Sequence, residues 1–128
     1  MRSPGFVLLL LLVGWSVTGC MTGETRRAGD ARTKDPVQVQ VINENFLDMT
    51  IYAVGDGPRV RLGDVVGKNS SVFTIRPRQV SMAMGLQLFA DPIGSTQTFL
   101  SEKVYPDRYG QVVFEIAPVL DLSTVRIR

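Results

Sequence analysis

Val37-Gln38-Val39-Gln40-Val41 decides the fold class. Valine at every second position with glutamine between gives a period of two, so one face of an extended strand is buried and the other is wet. Outward from it, the same pattern returns in Asp48–Val54 and in Arg59–Leu62, where Gly63-Asp64 marks a bulge or kink. Val72–Ile75, Met82–Leu88, Thr96–Val104, Gln111–Ile116 and Leu122–Ile127 read as further strands, with Phe89 on the face opposite Met82, Met84, Leu86 and Leu88. Turn residues punctuate them at Gly55-Asp56-Gly57-Pro58, Gly67–Ser70, Asp91–Gly94 and Pro106–Gly110. No long segment free of Gly and Pro shows the 3.6-residue period of an amphipathic helix. About seven or eight short strands with turns roughly every ten residues predict an all-β fold: one small β-sandwich over residues 36–128, in an immunoglobulin-like or a transthyretin-like strand order.

What precedes the strands is different in kind. Arg2 is a short positive lead, and Phe6–Val13 is an apolar run too brief to span a bilayer, which needs about 20 residues. It ends in Val17-Thr18-Gly19-Cys20, and Cys20 is the chain's single cysteine. This resembles the lipobox of bacterial lipoproteins. The resemblance implies a signal peptide over 1–19, cleavage between Gly19 and Cys20, and acyl chains such as palmitate on Cys20. It also implies a membrane attachment that two or more chains make stable. Met21, rather than aspartate, follows the cysteine, which in similar lipoproteins of two-membrane bacteria implies the outer membrane, facing the periplasm. Residues 20–35 then read as the lipidated cysteine and a flexible linker: Gly, Thr and mixed charges cannot nucleate a core, and as a coil they reach roughly 20 Å. The domain beyond looks loosely like small sandwich modules of bacterial envelope proteins, including carboxypeptidase-regulatory and PEGA-type modules.

Composition narrows the chemistry. The net charge is +2 with basic residues scattered, which is no nucleic-acid footprint. The absence of histidine removes the commonest general base and metal ligand, and one cysteine allows neither an internal disulfide nor a thiolate zinc site. The expectation is a non-enzymatic protein with no cofactor and no metal. Its expected partners are the membrane, through the anchor, and an envelope protein or a second copy, bound at exposed sheet edges; the alternative is a carrier or sensor domain that binds a small carbohydrate or lipid at one loop-bearing end.

Few residues stand out as sites. Asn45 and Phe46, in the polar loop Asn43–Asp48, suit either a ligand contact or an Asx turn with Phe46 plugging the core. Arg59 and Arg61 alternate with apolar neighbours and share one exposed face, and Arg76 and Arg78 flank Pro77; an acidic partner or ordinary solvated edge charge explains both. Asp56, Asp64 and Asp91 fall at turns without the spacing of a calcium loop. Glu102 and Glu115 fit a hydrolytic pair only if one cleft holds both. Ser70, Ser71 and Ser81 have no base to activate them. Tyr52, Phe89, Phe99, Tyr105 and Tyr109 are the aromatics expected at the surface.

Overall fold

The computed structural model describes residues 35–107 and 110–128. The signal peptide, lipobox and linker at 1–34, and Tyr109, lie outside the described residues. Eight strands follow in order: β1 Val37–Asn43, β2 Met49–Val54, β3 Val60–Val65, β4 Ser70–Ile75, β5 Gln87–Pro92, β6 Phe99–Leu100, β7 Gln111–Ile116 and β8 Thr124–Ile127. A 3-10 turn at Leu120–Leu122 precedes β8. They form two four-stranded sheets, ordered β4-β1-β7-β8 and β3-β2-β5-β6, so the all-β sandwich expected from the pattern is what forms. Within the first sheet β1 is antiparallel to β4 but parallel to β7.

The alternation does what the sequence promised in β1. Val37, Val39 and Val41 are buried while Gln38 and Gln40 turn outward, and the strand runs two residues further to the buried Asn43. The inward faces of both sheets meet in a core led by Phe114, Met49, Ile51, Ile75, Leu86, Leu88 and Ile116. The Gly63 pause is a bulge inside β3. Ile51 pairs with Gly63 and Tyr52 with Arg61, so Leu62 is the extra residue. A Cβ on Gly63 would come within 2.7 Å of the Phe73 ring, so glycine lets β4 close over this corner.

Four expected boundaries move. The alternating Met82–Leu88 run enters its sheet only at Gln87. Asp56 accepts hydrogen bonds from the Ser81 hydroxyl (2.9 Å) and from the Ala83 (3.0 Å) and Met84 (3.1 Å) amides, which curls Ser81–Met84 into a turn. Asp91 and Pro92, expected in a turn, are the last residues of β5, where a proline ending a strand disturbs no interior ladder. The turn falls instead at Ile93–Gly94, with Gly94 at φ +87°. Thr96–Val104 pairs only through Phe99–Leu100 and a bridge at Val104. There the Ser101 amide donates to the Leu88 carbonyl at 2.9 Å, but the Leu88 amide is accepted by the Ser101 hydroxyl at 2.8 Å, so a side chain replaces one main-chain acceptor of the ladder. Leu122, expected to open the last strand, lies in the 3-10 turn, and β8 begins at Thr124.

Strand direction gives the sandwich two unlike poles. β1 and β7 start at one pole, and Arg128 returns to it, exchanging hydrogen bonds with Gln111. The loops β1–β2, β3–β4, β5–β6 and β7–β8 all gather at the opposite pole.

Candidate functional site

The loop pole is held together from within by two asparagines. Asn43 is 1% exposed, and its amide nitrogen donates to the carbonyls of Leu47 (2.9 Å), Val65 (3.3 Å) and Val66 (3.3 Å), while its oxygen accepts the Asn45 amide (3.0 Å). It therefore ties the β1–β2 loop to the β3–β4 turn across the two sheets. Asn45 is anchored in turn: its oxygen accepts the Leu47 amide (3.0 Å) and its nitrogen donates to the Pro118 carbonyl (2.9 Å), joining the β7–β8 loop. Of the two expected roles for Asn45, the Asx turn is the one its hydrogen bonds serve. Asp48 adds a further tie by accepting the Gly67 amide at 2.9 Å. Gly67 is needed there, because a Cβ would sit 2.2 Å from the Phe46 carbonyl oxygen.

This framework leaves apolar side chains turned outward. Phe46 does not plug the core: it is 80% exposed, with the Lys68 ammonium 4.2 Å above its ring and donating to the Glu44 carbonyl. A cation held over an aromatic face stabilises that outward posture. Leu47, Val66, Ile93, Val119 and Leu122 are also exposed, so six of the eleven large exposed hydrophobics among the described residues lie at this one pole. Beside them a shallow cleft of about 250 Å³ is lined by Asn45, Leu47, Pro92, Ser95, Gln97, Pro118, Val119, Leu120 and Asp121. Glu44, Asp48 and Asp121 lie on these loops and Asp91 beside them at the end of β5, while Lys68 is the only basic residue of the four loops among the described residues.

No protein-family model matches the chain, and no curated protein sequence does. A solved structure described as "NMR structure of the protein from Eubacterium rectale" is similar at 15% identity, covering 79% of this chain and 92% of that one with a TM-score of 0.47. A likeness at that level carries no functional reading.

The other sequence candidates disperse. Arg59 and Arg61 do share the outer face of the second sheet, where the Arg59 guanidinium lies 5.0 Å from both the Tyr52 and Phe89 ring centres. Those rings meet edge to face at 5.9 Å, whereas Phe99, expected at the surface, points inward and stacks on Phe114 at 6.1 Å. Tyr105 is exposed and apart from them. Glu115 pairs with Arg126 on the first sheet at 3.1 Å, while Glu102 follows β6 of the second, so the two carboxylates are not brought into one cleft. Among the described residues no cluster of three or more potential metal ligands forms, and no helix is long and apolar enough to cross a membrane.

Asp64 is the one group with a clear electrostatic signature. The Thr50 hydroxyl at 2.8 Å, and after it the Arg61 guanidinium at 2.6 Å, hold its carboxyl below the usual aspartate range. A carboxyl lowered in the folded state contributes stability above the ordinary aspartate pKa, lost as pH falls through the lowered value. All three side chains are on the surface, so the effect on stability is small. Thr50→Ala should raise the Asp64 midpoint in an NMR titration; a midpoint that stays put would show that Thr50 is not what lowers it.

Sequence reasoning missed the loop pole as a unit, because its members lie up to about 75 residues apart along the chain. The signal that was present is Phe46, Val119 and Leu122, large apolar residues standing beside turn-forming Asn and Pro.

Proposed function

We propose that this chain is a membrane-anchored envelope lipoprotein whose β-sandwich is a non-enzymatic module for binding another envelope protein through its loop pole. The observation that carries the binding role is the gathering of Phe46, Leu47, Val66, Ile93, Val119 and Leu122 on four loops of one end. Large apolar side chains concentrated at one site on a small domain mark contact surfaces. The acidic surroundings favour a partner whose apolar anchor sits among basic residues. The address rests on Val17-Thr18-Gly19-Cys20, and the outer membrane is the expected site in a two-membrane host. Linker entry at the pole opposite the loops suits this arrangement, since the apolar pole then faces away from the bilayer. Placement of β1 and β2 in different sheets supports a transthyretin-like strand order over the immunoglobulin one, in which the first two strands share a sheet.

A carrier role for a small carbohydrate or lipid finds support in the mixed polar and apolar lining of the cleft. At about 250 Å³ it falls below the ~300–1,000 Å³ usual for small-molecule sites, which favours the protein contact.

Phe46→Ser and Leu122→Ser are expected to keep the wild-type circular dichroism spectrum and to lose cross-linking to the partner in intact envelopes. Cross-linking at wild-type yield would exclude the loop pole. The address is tested separately. Cys20→Ser should abolish palmitate labelling and move the protein out of the detergent phase, and the processed wild type should lack emission from Trp15, the chain's only tryptophan.

A further inference from the structure

We infer that the edge of β4, which among the described residues pairs with no strand but β1, is a strand-addition site for an extended segment of another protein, uncharged over about six residues and acidic at its flanks. This surface shares Lys68 with the loop pole and is otherwise separate from it.

The hydrogen-bond parity of the first sheet shows which groups are open. At the end of β1 the Asn43 amide donates to the Asn69 carbonyl on the β4 side (2.8 Å), and the Glu44 amide donates to Ile116 on the β7 side (2.8 Å). Odd residues of β1 therefore bond toward β4 and even residues toward β7. The antiparallel register sets Val41 against Ser71, Val39 against Phe73 and Val37 against Ile75. Those residues of β4 are used by β1, so the N–H and C=O groups of Ser70, Val72 and Thr74 point away from the sheet.

Natural sheet edges are blunted by bulges, charge or shortness. β3 is bulged and carries the Arg61–Asp64 ion pair. β6 has two residues, and β8 has four, with Arg126 paired to Glu115. β4 has none of these protections. It runs six residues, Ser-Ser-Val-Phe-Thr-Ile, without charge, proline or register shift, and Val72 on it is 58% exposed. An undefended edge of this length is a template for a fifth strand of this sheet, and extended segments bind such edges by main-chain bonds.

Charge selects the occupant. Residues 65–90 contain no acid, while Lys68 lies before β4 and Arg76 and Arg78 lie after it. Neither arginine has an ion-pair partner among the described residues. Acidic residues on either side of the incoming strand meet these cations. A second copy fits less well: pairing two β4 edges about Val72 engages every outward group, but it sets Lys68 opposite Arg76 of the other copy on both sides, and like charges opposite one another are destabilising.

The test uses the full chain in detergent micelles, panned against a random-peptide display library. Selected peptides should share an uncharged β-forming core with Asp or Glu at its flanks. A synthetic peptide of the selected sequence should slow hydrogen exchange at the amides of Ser70, Val72 and Thr74. Val72→Pro removes an outward N–H without touching the β1 ladder and should weaken peptide binding about tenfold or more, with Thr74→Pro as the second variant should the first not fold. Leu122→Ser, on a loop that does not hold Lys68, should leave this binding unchanged, so the two surfaces succeed or fail separately. Selection of no peptide, basic flanks, unprotected edge amides, or sensitivity to Leu122→Ser would each overturn the inference. So would a dimer in sedimentation that Val72→Pro dissolves, since a second copy would then be the occupant.

Discussion

Asn43→Ala is expected to destabilise the domain by about 3 kcal/mol, lowering its melting temperature by roughly 12–24 °C. The amide has no exposure to solvent that would replace its partners, and three carbonyls from two loops, with the Asn45 amide, depend on it. Leaving buried polar groups unmatched costs about 1–3 kcal/mol apiece when water cannot reach them. The loss should be local in character: the β1–β2 loop and the β3–β4 turn separate, so the binding proposed for the loop pole should weaken before the sheets melt. Asn45→Ala, whose bonds lie nearer the surface, should cost about 1 kcal/mol. A thermal melt of Asn43→Ala within about 4 °C of wild type would mean that water occupies the site in its place.

Phe114→Ala is expected to cost about 3–5 kcal/mol, a large share of the ~5–15 kcal/mol that holds a domain of this size together. Its ring is fully buried on β7, opposite Val41 of β1 and Val125 of β8, and stacks on Phe99 from the other sheet. It is thus the largest side chain bridging the two layers, and β6 offers only Phe99 to meet it. Truncation leaves a cavity that two short sheets cannot close without sliding. Phe46→Ala is the matched contrast: the same residue type, exposed, should change stability by about 0.5 kcal/mol or less. Urea titration of both variants reads the difference. A Phe114→Ala midpoint close to wild type would mean that the sheets collapse onto the gap.

What the sequence disclosed followed from period. β1 was legible because valine alternates with glutamine, β2 and β7 because β-branched and aromatic residues crowd them between turn residues, and the Gly63 bulge because glycine interrupts an alternating run. What it hid followed from side chains replacing the main chain. Ser101 takes a ladder bond, so Thr96–Val104 looks like a strand yet pairs in only two places. Asp56 gathers Ser81, Ala83 and Met84 into a turn that alternating methionines disguise as a strand. Asn43 reads as an ordinary turn residue, and nothing local marks it as the buried clasp of two loops. The candidate site was half visible: Asn45 and Phe46 were singled out, but their company of Ile93, Val119 and Leu122 comes from the far side of the chain.

The parallel placement of β1 beside β7, with the linker joined to the first residue of β1, bears on how the domain would respond to pulling. A partner gripping the loop pole while fatty chains hold the other end would draw β1 along its own axis. Because β1 is flanked at six register positions by β4 and at six by β7, it would have to slide past both neighbours at once rather than peel away bond by bond. Tension applied this way would be shared across the whole strand, so the proposed anchor at this end would load the sandwich in shear rather than by peeling.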